Sequence, residues 1–278
     1  MSAGQPKQAE AQLKIALKEE PGFPEAHLNL GIAYEHESFL DAATAQFRRA
    51  VQIDPALVQA YCELGKTLLR QGNLDAARQN FETALRLNPD LGEPHYQLAR
   101  VLQAQGHGQR AGEEFEQVKT LNRLTEKITE AVQLNNQGLD LAAKGDFKKA
   151  VRVVREATEL VPDLAMAHYN LGLVLADSGD FKSASRELRT AIFLRPCQAI
   201  AHYELGRVLQ RIGDASGAMS ELEWAAKRGP ADKQIAELAR TEANRTAGLG
   251  PSPSAAKSVS TPLFTAKGLD DLGMSMRR

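Results

Sequence analysis

The chain has few aromatic residues, no excess of either charge and no long apolar run. Aromatic residues make up 5% of its 278 residues, and Ala and Leu fill most periodic apolar positions, which favours packed helices over a β-sandwich. The formal net charge of −1 gives no electrostatic case for nucleic acid or an anionic membrane as the main partner. No segment approaches the ~18 apolar residues of a membrane-spanning helix, so we expect no membrane insertion.

Sequence motifs of enzyme active sites and cofactor sites are also lacking. The chain contains no GxSxG, HExxH, P-loop, strict GxGxxG or CxxC. The looser GxGxxA at Gly106, Gly108 and Ala111 has no strand before it, and a dinucleotide site requires that strand. We interpret it as a turn between helices. The sequence therefore predicts no catalytic residue, no metal, no cofactor and no enzymatic activity.

What the sequence does contain is a repeat with a period of 34 residues. Six small residues mark the same point in successive units: Gly31, Gly65, Ala99, Gly138, Gly172 and Gly206. The spacing of 34 is broken once, by a slip of five residues before the fourth unit. Apolar residues at i, i+3, i+4 and i+7 predict helices, a glycine turn divides most units, and proline closes most of them. A fixed period of this size predicts a stacked array.

The recurring glycines need a packing reason, because glycine inside a helix is unfavourable by roughly 1 kcal/mol. We expect each one to let the first helix of its unit approach the second helix closely. A larger side chain at such a contact would cost on the order of 1–3 kcal/mol.

This pattern resembles the tetratricopeptide repeat (TPR) family, whose unit is a 34-residue helix–turn–helix. The resemblance extends from about Lys7 to Pro230 and rests on the Leu-Gly pairs, the glycine turns and the closing prolines. It implies an all-α fold, an α-solenoid of TPR units stacked into a right-handed superhelix. The chain departs from the family where histidine replaces an early aromatic residue: His27, His95, His168 and His202. We expect these histidines to pack as that aromatic does, because equivalent positions in stacked units are too far apart to share one metal ion.

The array is expected to divide into five segments. Residues 1–23 form a half repeat, 24–125 and 126–230 form two blocks of three repeats, 231–246 form a capping helix and 247–278 form a flexible tail. Residues 113–137 contain no Gly or Pro, which predicts an elongated or kinked helix where the blocks meet. Cys62 and Cys197 fall in distant units, so we expect no disulfide between them.

The half repeat at the start leaves location and assembly open. Residues 1–23 lack the apolar core of a signal peptide, so the default expectation is a cytoplasmic protein. If the chain is a truncated form of a longer protein, however, a targeting segment has been lost with its start. The exposed half repeat also offers a surface for self-association.

The TPR resemblance implies a concave groove, lined by the first helices, that binds a protein or peptide ligand. One groove position forms a row of amides and carboxylates at Asn29, Glu63, Gln97, Asn136, Asn170 and Glu204. This row is similar to the asparagine ladder of the TPR superhelix of O-linked N-acetylglucosamine transferase, which holds peptide backbone. Its other interpretation is a solvated helix face. We expect aromatic anchors beside the row at Tyr96, Tyr169 and Tyr203. We also expect basic groups that favour acidic ligands at Lys66, Arg70, Arg100 and Arg207.

These features predict a non-enzymatic scaffold or adaptor that binds peptide segments of partner proteins in its groove. The alternative is that the chain is the substrate-recruiting TPR arm of a larger enzyme or envelope-assembly factor, such as a glycosyltransferase. The gene sequence upstream of Met1 would distinguish the two.

Overall fold

The computed structural model describes residues 5–228 and 233–248, so nearly all of the predicted tail at 247–278 lies outside the described residues. The described residues form 13 helices and no strand. In chain order these are α1 (Gln5–Glu19), α2 (Pro24–His36), α3 (Leu40–Ile53), α4 (Val58–Arg70), α5 (Leu74–Leu87), α6 (Gly92–Ala104), α7 (Gly108–Ala143), α8 (Phe147–Leu160), α9 (Ala165–Asp177), α10 (Phe181–Leu194), α11 (Ala199–Ile212), α12 (Ala215–Arg228) and α13 (Lys233–Thr246). The predicted all-α array of helix–turn–helix units is confirmed.

The chain divides into two compact units between Thr125 and Glu126. In the first unit α2 packs on α3 and α4 on α5, neighbouring pairs meet through α3 and α4, and α1 packs on α2. In the second unit α9 packs on α10 and α11 on α12, while α13 covers α11 and α12. Helix α7 runs across the boundary as one uninterrupted helix of 36 residues. The stretch without Gly and Pro at 113–137 therefore lies within one continuous long helix.

The sequence of the turn inside each repeat follows from its backbone conformation. The turn glycines have positive φ angles between 79° and 93°, as at Gly72, Gly145 and Gly179. Glycine adopts this left-handed conformation without strain. The next side chain accepts a hydrogen bond from a backbone N–H in the following helix at Asn73, Asp146 and Asp180. In the first turn Ser38 takes the positive φ, at 64°, and Phe39 occupies the capping position without a side-chain bond.

Paired helices touch at the repeated glycines. A Cβ added to Gly65 would lie 2.7 Å from Cε1 of the Phe81 ring, and one added to Gly172 would lie 2.7 Å from Cγ of Leu188. Both neighbours are buried in the cores of their units, at 1% and 0% exposed. The close packing that the glycines predict is therefore confirmed.

In the third repeat alanine replaces glycine, so a Cβ is present at this position. Ala99 stands where the other repeats have glycine, and it is completely buried. Phe115 occupies the position that Phe47 and Phe81 hold in the first two repeats, yet it is only half-buried. Its ring meets Tyr96 edge-on, with 6.0 Å between the centroids.

We predict that Gly172→Ala lowers the free energy of unfolding by about 1–3 kcal/mol, because the new methyl group overlaps the buried Leu188 side chain. Gly112→Ala is the matched control, since a Cβ at Gly112 in α7 meets nothing within 4 Å. That change should raise stability by roughly 0.5–1 kcal/mol through helix propensity. Urea titrations followed by circular dichroism measure both, and equal effects of the two substitutions would contradict the packing argument.

The four repeated histidines do more than replace an aromatic ring. In each, Nε2 lies within hydrogen-bond distance of the carbonyl oxygen of a preceding proline: Pro21, Pro89, Pro162 and Pro196. In each, Nδ1 meets a side chain of the second helix: Gln46, Glu114, Glu187 and Glu221. The expectation of a packing role was therefore incomplete. Each imidazole links the loop before its repeat to the second helix of that repeat. The ring of His202 also stacks on that of Trp224, with 3.7 Å between the centroids.

The two hydrogen-bond partners of His168 affect the protonation of its imidazole. Its Nδ1 lies 2.8 Å from Oε2 of Glu187 and its Nε2 lies 2.9 Å from the carbonyl oxygen of Pro162. Neutral imidazole carries one N–H and can donate to only one of these acceptors, whereas the charged ring donates to both. The bond to Glu187 raises the pKa of His168 above its ordinary value, although desolvation lowers it.

This raised pKa predicts a pH dependence of stability. Since the folded-state pKa lies above the unfolded value of about 6.5, the stabilisation is complete below that pH and is lost as pH rises through the folded-state pKa. Glu187→Gln should therefore lower the unfolding midpoint most at about pH 5.5 and progressively less towards pH 8.5. Differential scanning fluorimetry across this range, with the exposed Glu159→Gln as control, tests it; a difference independent of pH would contradict the charged pair.

Candidate functional site

The first helices of successive repeats lie next to one another within each unit. In the first unit α2 contacts α4 and α4 contacts α6, and in the second α9 contacts α11 and α11 contacts α13. The predicted amide and carboxylate row therefore divides into one part per unit. The first-unit row consists of Asn29, Glu63 and Gln97, and the second-unit row of Asn136, Asn170 and Glu204.

The first-unit row is only partly accessible, because the Glu63 side chain is 15% exposed and Gln97 is half-buried. Asn29 is exposed, and Glu63 forms an ion pair of 2.6 Å with Lys66 one turn along α4. Gln97 donates to Glu93 at 2.7 Å, along α6. The exposed bond between Gln97 and Glu93 contributes about 0.2–0.5 kcal/mol, so a ligand can exchange it at little cost.

Tyr96 is the exposed aromatic residue of this face. Its side chain is 43% exposed, and the Arg100 guanidinium lies 5.9 Å from the ring centroid. Arg100 also donates to Gln97 at 3.2 Å, so the aromatic ring, the amide and the guanidinium form one patch on α6. Arg70, on α4, pairs with Glu35 of α2 at 2.9 Å. The basic side chains predicted here are thus largely partnered, which weakens the expectation of a preference for acidic ligands.

The second-unit row differs, and here the prediction of an open row requires correction. Tyr169 and Asn170 are each 3% exposed, Glu204 is 8% exposed and Tyr203 is 9% exposed. Both tyrosine rings belong to the apolar core formed by α9, α11 and their neighbours. These four side chains contact their own chain rather than an open surface.

Asn135 is a buried polar residue that the sequence row did not include. It is completely buried in α7, where its Oδ1 accepts a bond of 2.9 Å from Nδ2 of Asn170. Its own Nδ2 donates to Oδ1 of the half-buried Asn136 at 3.3 Å. Asn135 occupies the repeat position that holds Tyr96, Tyr169 and Tyr203 elsewhere. An amide at a position that otherwise holds Leu28, Cys62 or a tyrosine was the signal that could have identified it.

A charged group lies beside these amides in the second unit. Glu204 accepts a bond of 3.1 Å from Nη1 of Arg207, and the same guanidinium lies 5.7 Å from the Tyr203 ring centroid. Burial raises the pKa of Glu204; Arg207 opposes this shift and the charge of Asp177 adds to it. Desolvation likewise raises the pKa of Asp177, at the end of α9.

The Tyr169 hydroxyl is the unpaired member of this group. Its oxygen is buried and has no hydrogen-bond partner among the described residues. Burial raises its pKa well above the ordinary value, and the charge of Glu204 contributes to the shift. A buried hydroxyl without a partner costs about 1–3 kcal/mol, so its position needs a reason.

Other kinds of site receive no support from the described residues. Within residues 5–228 and 233–248, His, Cys, Asp and Glu form no group of three or more able to hold a metal ion. No helix in these ranges combines the length and the apolar character needed to cross a bilayer. Burial raises the pKa of the Cys62 thiol to about 11, which keeps it protonated and unreactive, and both Cys62 and Cys197 are free thiols.

Comparisons with known proteins give one consistent family. Tetratricopeptide repeat models match residues 1–57 and 173–233 and residues 46–79, and a TPR repeat model matches residues 65–106 and 138–179. The unmatched stretch between 106 and 138 contains the slip in spacing and most of α7. No curated protein sequence matches the chain.

Several solved structures are similar at low identity. The TPR domain of P58(IPK) is 22% identical with a TM-score of 0.44, over 81% of this chain and 64% of that one. A chain of the APC/C hetero-tetramer Cut9-Hcn1 is 19% identical with a TM-score of 0.41, over 86% of this chain. YrrB, described as a TPR protein with an unusual peptide-binding site, is 20% identical with a TM-score of 0.32, over 82% of this chain and 97% of that one.

The chain spans 46% of the length of its Cut9-Hcn1 match, so it corresponds to about half of that protein. The family models, in contrast, match on both sides of the long helix. Their matches coincide with the helix–turn–helix units and with the glycines at which paired helices touch. The chain therefore belongs to the tetratricopeptide repeat family and is built as a scaffold for protein–protein interaction.

Proposed function

We propose that the protein is a non-enzymatic adaptor that binds peptide segments of partner proteins on the exposed faces of its first helices. The observation that carries this proposal is the first-unit face, defined here as Asn29, Glu63, Lys66, Arg70, Tyr96, Gln97 and Arg100. Asn29, Arg70, Tyr96 and Arg100 are exposed on this face, while Lys66 and Gln97 are half-buried and the Glu63 side chain is 15% exposed.

The chemistry of this face suits an extended peptide. Amide and carboxylate side chains accept bonds from peptide N–H groups, and Gln97 also donates to peptide carbonyls. Tyr96 supplies a flat, half-exposed ring of the kind that contributes most binding energy at protein interfaces. Arg100, which lies over that ring, adds a charged donor at the edge of the same patch.

The second unit contributes a smaller accessible surface. Asn136 is half-buried and the Arg207 side chain is 39% exposed, while the residues between them in the row lie beneath the surface. We propose that this unit binds ligand through its rim rather than through an open row. A peptide or protein partner also suits the net charge of −1, which offers nucleic acid little attraction.

We predict that Tyr96→Ala combined with Gln97→Ala weakens peptide binding by roughly tenfold or more, because the change removes an aromatic anchor and an amide partner. The probe is a peptide selected by the full chain from a random dodecapeptide library. Its affinity for the wild type and the variant is measured by fluorescence anisotropy. Folding should survive, since 43% of Tyr96 is already exposed to solvent.

Arg49→Ala is the matched control, because Arg49 is exposed on α3, a second helix. It should leave the affinity unchanged. Equal affinity of the wild type and the Tyr96/Gln97 variant would rule out the first-unit face as the binding surface, as would an equal loss in the Arg49 variant.

A further inference from the structure

Helix α1 has the residues of a second helix, and the described part of the chain contains no first helix before it. It packs on α2, the first helix of the next repeat, just as α3 packs on α4. Three of its residues lie one period of 34 before Gln46, Phe47 and Ala50 of α3: Gln12, Leu13 and Ala16. We call these three residues the open face of α1.

The open face is more exposed than the same positions in complete repeats. Outside the third repeat, the residues at the Leu13 and Ala16 positions are at most 1% exposed, as with Leu188 and Ala191. In α1, by contrast, Leu13 is half-buried and Ala16 is exposed. The open face therefore has the residues of a helix-packing surface but lacks the first helix that covers this surface elsewhere.

The polar residue of the open face identifies one side chain of a helix that would fit it. In four repeats Nδ1 of a first-helix histidine meets Gln or Glu at the Gln12 position: Gln46, Glu114, Glu187 and Glu221. The other two complete repeats have Asn80 or Val153 at this position, and Tyr61 or Leu134 at that of the histidine. Because histidine occurs only opposite Gln or Glu, Gln12 predicts a histidine in its partner helix.

The apolar residues of the open face identify a second feature of that helix. Leu13 corresponds to Leu188 and Leu222, which face the repeated glycines. A Cβ added to Gly172 or Gly206 would lie 2.7 Å from Cγ of the facing leucine. A helix that seats on α1 in the same way therefore needs a small residue opposite Leu13. In this chain that residue follows the histidine by four positions.

The first helices of a second copy do not fit the open face. In each copy α2, α4, α9 and α11 already pack on their own second helices. Helix α13 has no second helix among the described residues, but it carries Ala236 and Arg240 where α11 has histidine and glycine. An arginine side chain opposite Leu13 would keep the two backbones apart.

We propose that the open face of α1 binds a helix of a partner protein, which completes the half repeat as its first helix. This helix carries histidine and, four residues later, glycine or alanine. Its imidazole bonds to Gln12 as His27 does to Gln46, at 2.8 Å, and its apolar side packs on Leu13 and Ala16. The inference goes beyond the proposed function, because it concerns a second surface and a helical ligand rather than the first-unit face.

The probe is a synthetic peptide that copies residues 21–37 of this chain, which comprise α2 and the loop before it. This first helix is chosen because its histidine pairs with a glutamine, as the proposal requires for Gln12. A lactam joins positions 25 and 29, both exposed in α2, because an isolated helix of this length is marginal in water. Fluorescence anisotropy measures its affinity for the full chain.

Two changes to the peptide test the predicted features. Gly31→Leu should weaken binding by about tenfold or more through overlap with Leu13, although leucine favours the helix. His27→Ala should weaken binding to the wild type by about fivefold, as for one hydrogen bond. It should have no further effect on binding to Gln12→Ala, because the two changes remove the same bond.

Two changes to the protein test the position of the site. Ala16→Arg should weaken binding by about tenfold or more, because the long side chain covers the open face. Ala11→Arg is the matched control, since it adds the same charge at an exposed position on another side of α1. It should leave the affinity unchanged. Both positions are exposed, so both variants should keep the circular dichroism spectrum and unfolding midpoint of the wild type.

Three outcomes would overturn the proposal. The first is no saturable binding of the unmodified peptide, and the second is equal affinity of the wild type and Ala16→Arg. The third is self-association of the wild type that Ala16→Arg abolishes in sedimentation velocity, which assigns the open face to a second copy. A dodecapeptide selected for the first-unit face should bind Ala16→Arg as it binds the wild type, so the two functions fail or stand separately.

Discussion

The close approach of paired helices at the repeated small residue is the constraint on which the rest of the structure depends. At Gly172 the backbone of α9 lies so near α10 that a methyl group would overlap Leu188. This contact fixes the spacing of each pair, and the spacing fixes which faces of the first helices meet their neighbours. Ala99 marks the one full repeat that has a Cβ at this position, and Phe115, at the equivalent of Phe47 and Phe81, is half-buried there. It is also the repeat whose aromatic residue Tyr96 is left exposed.

The fold followed from the sequence because its determinants are local and repeated. A glycine with positive φ followed by Asn or Asp ends one helix and begins the next, and five repeated glycines report the same close approach of paired helices. The long helix α7 followed from the missing Gly and Pro. The histidine bridges were not predicted, because Nε2 and Nδ1 contact groups six residues before and 19 residues after each ring. Only folding brings those three groups together.

The candidate site was harder to predict because equivalent repeat positions do not have equal exposure. Asn29 and Asn170 hold the same place in their repeats, yet the first is exposed and the second is 3% exposed and bonded to Asn135. The sequence gives their spacing but not the side chains that cover them. Basic residues were likewise counted as ligand-binding groups, whereas Lys66 and Arg207 each meet a carboxylate three residues earlier on the same helix. The number of basic residues along a helix is therefore larger than the number of positive charges available to bind a partner.

The two compact units differ in the exposure and pairing of their polar side chains. The first unit leaves Tyr96, Arg70 and Arg100 exposed and pairs Lys66 with the mostly buried Glu63. The second unit pairs Glu204 with Arg207 and buries the Tyr169 side chain. The repeated residues thus determine the scaffold, and the variation between repeats determines which polar side chains remain accessible.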